Sequence, residues 1–133
     1  MLSHFSPWHI PPLFIATTTT FGGLWPFFNA RAATLEFGLP PRVANSPEAQ
    51  SVMICCSGRT TVIGALIFAF YSQRKLEAVD TVLAVMGVWI GITDGYVCWK
   101  EGVPGRGLFR ATCGFLIGAY GLVGWTARSA AGI

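Results

Sequence analysis

The sequence is short of charge. Of its 133 residues only 11% are charged and 53% are hydrophobic, whereas an ordinary globular domain has about 25% charged and roughly 45–50% apolar residues. Nine basic and six acidic side chains are too few to hydrate the surface of a soluble domain of this size. The composition therefore favours an integral membrane protein.

Clustered basic residues and metal-binding motifs are also missing. The basic residues are dispersed, so the net charge of +3 does not predict nucleic-acid binding. No CxxC spacing occurs, and the cysteines lie in or beside apolar stretches, which predicts buried thiols rather than a zinc or redox site. These cysteines are Cys55, Cys56, Cys98 and Cys113.

The region before the first apolar stretch lacks the features of a cleavable signal peptide. Residues 1–12 contain no basic n-region and no small-residue cleavage site, so the first apolar stretch is expected to act as its own insertion signal. His4 and His9 lie beside Pro and Trp residues and are expected to be solvated at a membrane interface. We predict no metal site and no cofactor.

What the chain has is four long apolar stretches. A hydrocarbon core about 30 Å thick needs about 20 mainly apolar residues per helix, and residues 13–33, 52–71, 79–99 and 107–125 approach this length. Short connections make consecutive spans antiparallel. The sequence predicts an all-α membrane fold, a four-transmembrane-helix up-down-up-down bundle forming a single domain over residues 1–133. Both termini are then on one side, called side two, and the opposite side is side one.

Basic residues give a weak indication of orientation. Side two carries three of them in or beside its segments, and side one carries five. By the positive-inside rule, side one is expected to be cytosolic. The side-one residues are Arg31, Arg42, Lys100, Arg106 and Arg110.

Glycines recur at four-residue intervals in spans three and four. They are Gly87, Gly91 and Gly95 in span three, and Gly114 and Gly118 in span four. Such small-xxx-small spacing lets two helix backbones approach closely. It predicts tight packing of spans three and four within the chain, with a homodimer through the same residues as the alternative.

Two ionisable side chains fall inside predicted spans. An unpaired charge there is costly and marks a candidate functional site. Measured from side one at 1.5 Å per residue, Arg59 lies roughly 10 Å deep and Asp94 roughly 8 Å deep. The two are therefore expected to form an ion pair, either as a structural clamp between helices or as part of a reactive site.

Further polar residues gather near the same level. Span one ends on side one with Asn29, Arg31 and Glu36, span four begins there with Arg110, and Tyr96 and Trp99 belong to the same layer. On side two, the hydroxyls of residues 17–20 can bond to their own helix backbone. We expect a polar cavity open to side one above an apolar floor.

Four short motifs carry a family resemblance across most of the chain, roughly residues 26–122. They are Phe37-Gly38-Leu39-Pro40, Gly58-Arg59, Asp94-Gly95 and Gly102. With these motifs in this order, the chain resembles a family of small four-helix membrane proteins of unknown function found in bacteria and fungi. It departs from the pattern after Arg59, where Thr60-Thr61 replace an expected acidic residue, so that any role of that acid would pass to Glu36 or Asp94.

Fungal members of such families resemble membrane enzymes of polyketide and terpenoid (secondary metabolite) biosynthesis that open, hydrolyse or cyclise epoxides on lipophilic intermediates. The resemblance implies an epoxide hydrolase or cyclase (an isomerase), in the endoplasmic reticulum. Asp94 beside Arg59 would be the general base and Glu36 the general acid, because epoxide opening needs one carboxylate to accept a proton and another acid to donate one. The arrangement is chemically similar to that of limonene-type epoxide hydrolases.

The remaining polar residues are predicted to bind the substrate. These are Asn29, Arg31, Tyr96, Trp99 and Arg110, with Tyr96 as an alternative proton donor. The predicted partners are a lipophilic small molecule and membrane lipid. Two other functions stay open: a non-catalytic accessory or scaffold protein, and a small proton-coupled transporter. The latter is disfavoured because span one has no acidic residue at its centre.

Overall fold

The computed structural model describes residues 5–132, and this part of the chain is all-helical, with 88% helix and no strand. A short 3₁₀ turn, Pro7–His9, leads into α1 (Ile10–Phe37). Next come α2 (Pro41–Ala44), α3 (Pro47–Ser72), α4 (Leu76–Lys100), α5 (Pro104–Val123) and α6 (Trp125–Ala130). Two of these helices, α3 and α4, are long and apolar enough to cross a membrane.

The four predicted stretches correspond to the four long helices, which extend beyond them at most ends. The exception is the end of the fourth. There Gly124 adopts a left-handed conformation with φ 73°, ends α5 and starts α6, which the apolar pattern did not predict. Similarly, α1 ends where Gly38 has φ 109° and its N–H donates to the Leu35 carbonyl at 3.0 Å. Glycine tolerates this conformation without a Cβ clash.

α1 is kinked towards its side-one end. Asn29 has non-helical dihedrals, φ −153° and ψ 81°, three residues after the buried Pro26. The Asn29 side-chain oxygen accepts a hydrogen bond from the Ala32 amide at 2.9 Å. Asn29 thereby caps the last part of α1, as an N-cap residue does.

The long helices pack as two antiparallel pairs, α1 with α3 and α4 with α5. In the α4–α5 pair, a Cβ atom added at Gly114 would lie 2.5 Å from Gly91 Cα, and one at Gly87 would lie 2.6 Å from the Gly114 carbonyl oxygen. The predicted tight packing of these helices is confirmed. Since the glycines face each other inside the chain, a homodimer would need other surfaces.

The α1–α3 pair is also closely packed, through glycine and threonine. A Cβ at Gly23 would lie 2.6 Å from the Ser57 carbonyl oxygen, and the Thr61 hydroxyl donates to the Thr20 carbonyl at 3.1 Å. Hydroxyls at 17–19 donate to their own helix, as predicted. The Thr20 hydroxyl instead is buried without a partner in the described part of the chain.

The apolar core occupies the side-two half of the molecule. It contains Ala16, Ile67, Val79, Leu83, Met86 and Tyr120, drawn from all four long helices. Beneath it, the buried Asp80 carboxylate accepts the backbone amides of Thr126 at 3.2 Å and Ala127 at 2.8 Å. This carboxylate holds the start of α6 against α4.

The chain start is fixed to the same end. Tyr120 donates its hydroxyl to the Trp8 carbonyl, and the Trp8 and Trp125 rings lie 5.1 Å apart. His9 is only 3% exposed and its Nδ1 shares a hydrogen bond of 2.9 Å with the Tyr71 hydroxyl. The prediction of a solvated His9 is therefore wrong, because the 3₁₀ turn folds the imidazole onto α3. His4 lies outside the described residues.

Candidate functional site

A cavity of about 1010 Å³ lies between the two helix pairs, mainly in the side-one half, and it reaches the apolar core at Ile15, Met86 and Ile117. All four long helices contribute to its wall, which is mostly apolar. Representative wall residues are Phe14, Trp25, Met53, Ile90, Phe109 and Ile117. The two helices of each pair are thus in close contact, whereas the two pairs are separated from each other in this half.

An ion pair lies in the cavity wall. Arg110 Nε and Nη2 lie 2.9 Å and 2.8 Å from the same oxygen of Asp94, Oδ2. The guanidinium also stacks 3.6 Å from the centroid of the Phe37 ring and donates to the Phe37 carbonyl at 3.5 Å. Arg110 on α5 is therefore positioned by α4 and by the end of α1, and it directs both bonds to one carboxylate oxygen of Asp94.

The predicted ion pair between Arg59 and Asp94 is wrong. Arg59 is exposed, does not line the cavity, and forms no ion pair with any described residue. At the level of Arg59 the α3 residues in the cavity wall are Ser57 and Thr60, which at 100° per residue lie about 160° and about 100° around the helix axis from Arg59. The prediction of the ion pair failed on the rotation of α3 about its axis.

Of the three predicted catalytic residues, Glu36 and Asp94 line the cavity and Arg59 does not. Of the predicted substrate-binding residues, Arg110 lines it. The structure therefore brings Glu36, Asp94 and Arg110 to one cavity, with two carboxyl groups and one guanidinium among its lining groups. Their catalytic and binding roles stay predictions.

The other predicted binding residues lie elsewhere. Asn29 caps the end of α1, and the Arg31 guanidinium donates to the Asn45 side chain at 2.7 Å. Tyr96 and Trp99 are exposed on the outer surface of α4, with ring centroids 6.5 Å apart. None of these four residues lines the cavity.

One further carboxyl group lines the cavity and was not predicted. Glu48 lies in the first turn of α3, before the predicted span that starts at residue 52. Its side chain accepts a hydrogen bond from the Ser46 hydroxyl at 2.8 Å. A hydrogen bond from its own backbone amide and the one from Ser46 lower the pKa of Glu48. The Ser46-Pro47-Glu48 sequence is a helix-start signal that could have placed it.

The four cysteines are free thiols. Cys98 is buried, as predicted, but Cys55 and Cys56 are exposed and Cys113 is half-buried. Cys56 and Cys113 line the cavity, whereas Cys55 lies on a different face of α3. In residues 5–132, no group of three or more His, Cys, Asp and Glu side chains is placed to hold a metal ion.

The side-one end of the cavity is covered by the connection between α1 and α3. Leu39 and Val43 from this connection line the cavity, and Arg42 forms a 2.6 Å ion pair with Glu101 at the end of α4. We expected a polar cavity open to side one, whereas the cavity is mostly apolar and this connection lies across its side-one end.

The fold and the site together define the class of protein. It is an all-helical chain with a mostly apolar cavity between two helix pairs and an Asp–Arg ion pair in the cavity wall. Its family is shown directly: the chain belongs to the family described as a domain of unknown function (DUF4267), which matches residues 16–125. This fits the predicted membership of a family of unknown function. No curated protein and no solved structure matches the chain, so the likeness to fungal epoxide-opening enzymes has no support from relatives.

Proposed function

We propose that this chain is a membrane-embedded enzyme that crosses the bilayer four times and opens, hydrolyses or cyclises an epoxide on a lipophilic molecule. The observation that carries the proposal is the cavity itself. Its wall is mostly apolar, yet it contains the Asp94–Arg110 ion pair and the Glu36 carboxyl group. A role in polyketide or terpenoid biosynthesis and a location in the endoplasmic reticulum stay predictions.

Crossing by α1 and α5, in addition to α3 and α4, is supported by their length and outer surface. The part of α1 before the kink at Asn29, residues 10–28, is about 28 Å long at 1.5 Å per residue, and the 20 residues of α5 are about 30 Å long. Both expose large apolar side chains, with Phe28 87%, Leu108 72% and Leu122 73% exposed. Large apolar side chains exposed near both ends of α5 suit a helix surrounded by lipid.

The crossing of α1 and α5 is testable by labelling single cysteines with a charged thiol reagent on sealed vesicles. If α1 crosses, Ser6→Cys and Pro41→Cys react from opposite sides, and if α5 crosses, so do Lys100→Cys and Ala130→Cys. A chain spanning only through α3 and α4 predicts the same side within each pair. That pattern would contradict four spans.

The proposed chemistry uses two carboxyl groups. Because Arg110 occupies Oδ2 of Asp94, Oδ1 is left to take a proton from water or from a hydroxyl of the substrate. The resulting oxygen nucleophile attacks an epoxide carbon, the carbon–oxygen bond breaks, and the departing oxygen takes a proton from Glu36 in its protonated form. Proton return from Asp94 to Glu36 through solvent completes the cycle, and the net reaction adds water or closes a ring.

Arg110 acts in this scheme as a positioning residue. Its contacts to Asp94 and to Phe37 fix the carboxylate of α4 relative to the end of α1, which also carries Glu36. The mostly apolar wall holds the hydrocarbon part of the substrate and limits access of bulk water. Such fixed geometry is a large part of what a protein contributes to a proton-transfer reaction.

The decisive experiment is turnover by the purified full chain in lipid vesicles. Long-chain and polycyclic epoxides are supplied, and products are measured by mass spectrometry. Asp94→Asn and Glu36→Gln are each expected to lower turnover by about 100-fold or more while the protein stays folded. Glu77→Gln, an exposed carboxylate in the first turn of α4, is the matched control and should keep full activity.

The competing function is a non-catalytic accessory protein, and one observation favours it. The Asp94–Arg110 pair also joins α4 to α5 and is sufficient as a structural clamp. In that case no epoxide is turned over, and Asp94→Asn changes only stability. Full activity in both carboxylate variants would equally contradict the enzyme.

A further inference from the structure

We propose that the cavity is entered sideways from the bilayer, through the gap between α1 and α5, and holds one long-chain amphiphile. Its oxygenated end lies at Asp94 and Arg110, and its hydrocarbon tail runs towards Ile15 and Ile117. This inference rests on the proposed function, since it requires α1 and α5 to face lipid.

The packing of the helices locates the gap. α1 packs along α3, α4 packs along α5, and α3 and α4 are neighbours, whereas α1 and α5 do not pack along their length in the described chain. Contacts join the α1 and α5 edges near the two ends: Arg110 stacks on Phe37 on side one, and Tyr120 bonds to the Trp8 carbonyl on side two. Between Arg110 and Tyr120 lie about 15 Å of α5.

The edges of this gap are part of the cavity wall. Phe14, Thr18 and Gly22 form one stripe of α1, and Phe109 and Cys113 lie on α5, all lining the cavity. Phe14 and Phe109 are also 66% and 64% exposed to the outside. These side chains therefore face both the cavity and the surroundings of the protein, as Val52 and Val97 do on the α3–α4 side. The α1–α5 side is the proposed entrance because α3 and α4 are in contact whereas α1 and α5 do not pack along their length.

The two ends of the cavity are less open than this side. Leu39 and Val43 cover side one, where the Arg42–Glu101 ion pair fastens their segment. On side two lies the apolar core with Leu83 fully buried. A ligand that partitions into the bilayer thus meets the gap between α1 and α5 without crossing either polar surface.

The distribution of charge gives the class of ligand and its direction. The charged groups in the cavity wall, Glu36, Glu48, Asp94 and Arg110, belong to helix ends or segments on side one. Towards side two the wall continues with Ile15, Met86 and Ile117. A volume near 1010 Å³ is at the upper end of small-molecule sites. A molecule with one oxygenated end and a long hydrocarbon tail matches this division.

Gly22 offers a way to block the gap without disturbing helix packing. A Cβ at Gly22 would meet nothing within 4 Å, so Gly22→Leu adds an apolar side chain to the gap. Gly58→Leu is the matched control, because its Cβ would meet only Phe27 Cζ at 3.9 Å and Gly58 does not line the cavity. Both are glycines in the middle of long helices.

The native cysteines supply a readout that does not depend on catalysis. One chain retains Cys113 (Cys55→Ser, Cys56→Ser), and its control retains Cys55 (Cys56→Ser, Cys113→Ser). Both keep the buried Cys98, and the labelling of Cys98 alone is measured in a chain in which the other three cysteines are replaced by serine. In lipid vesicles, labelling by lipid-soluble N-phenylmaleimide is followed with and without 1,2-octadecanediol, the unreactive product expected from a long-chain epoxide.

We expect the diol to slow labelling of Cys113 by about 5-fold or more and to leave Cys55 within about 2-fold, as partial occlusion of one site requires. Gly22→Leu should remove the protection, and Gly58→Leu should keep it. Equal effects on the two cysteines, or undiminished protection in Gly22→Leu, would overturn the inference. If the diol protects Cys113 but no epoxide is turned over, the ligand site is supported and the proposed enzymatic function is contradicted. If epoxide is turned over but the diol does not protect Cys113, only the proposed entry through the α1–α5 gap is contradicted.

Discussion

The α4–α5 interface and the space between the two helix pairs are built from opposite kinds of residue. In the first, glycines bring the backbones so close that a Cβ at Gly114 would lie 2.5 Å from Gly91 Cα. In the second, large side chains such as Phe14, Met53 and Phe109 face a cavity of about 1010 Å³. Small residues make a pair of helices rigid, and bulky residues on the facing surfaces leave room for a ligand.

The largest expected effect comes from breaking the close interface. Gly114→Leu forces α4 and α5 apart and should lower the free energy of unfolding by about 3 kcal/mol or more, seen as loss of a monodisperse peak and of the thermal transition in detergent. Gly105→Leu, in the same helix with nothing within 4 Å of its Cβ, should fold normally. Comparable damage from both changes would refute the close-packing argument.

The closed side-two end should respond to Asp80→Asn. This change removes a buried carboxylate that accepts two amides of α6, and hydrogen bonds to charged groups contribute about 1.5–3 kcal/mol. We expect a lower melting temperature and faster proteolysis after residue 124. Glu77→Gln, three residues earlier and exposed, provides the comparison, and equal stability of the two variants would contradict the role of Asp80.

At the side-one end the expected effect on stability is smaller. Arg110→Gln leaves Asp94 without its partner, but side-chain exposures of 30% and 17% reduce the cost to about 1–2 kcal/mol. Arg59→Gln should change stability by less than about 0.5 kcal/mol, as an exposed substitution does. Thermal unfolding of both variants measures the difference. A larger loss of stability in Arg59→Gln than in Arg110→Gln would support the Arg59–Asp94 ion pair first expected from the sequence.

The smallest effect distinguishes two adjacent glycines. Gly22→Ala, in open space, should stabilise the protein by about 0.5–1 kcal/mol through helix propensity. Gly23→Ala should destabilise it, because the new Cβ would lie 2.6 Å from the Ser57 carbonyl oxygen. Melting temperatures that shift in the same direction would show that α1 does not use Gly23 against α3.

The four long helices and the α4–α5 contact could be predicted from apolar length and glycine spacing. Which face each helix turns inward could not. Helices that are apolar all round have no amphipathic stripe to fix their rotation, so Arg59 was placed towards Asp94 and Tyr96 towards the cavity. The kink at Asn29 and the short α6 depend on local dihedrals and on Asp80, which periodicity does not reveal.

The candidate site was partly predictable for the same reason. Depth in a span follows from residue number, and this placed Glu36, Asp94 and Arg110 at one end of the molecule. The partner of Asp94 depends on which helix is in contact with α4. Since glycines bring α5 against α4, Arg110 is within reach of the carboxylate, whereas Arg59 on α3 faces away.

The central claim is that the cavity wall, and not the outer face of α3, carries the chemistry. Its most direct test is turnover of 1,2-epoxyoctadecane by Arg110→Gln and Arg59→Gln, with equal amounts of folded protein. The account predicts a kcat about 100-fold lower in Arg110→Gln with a smaller change in KM, as misplacement of a catalytic group does. It also predicts partial rescue by Arg110→Lys and unchanged activity in Arg59→Gln. Loss of activity in Arg59→Gln with Arg110→Gln unaffected would contradict it.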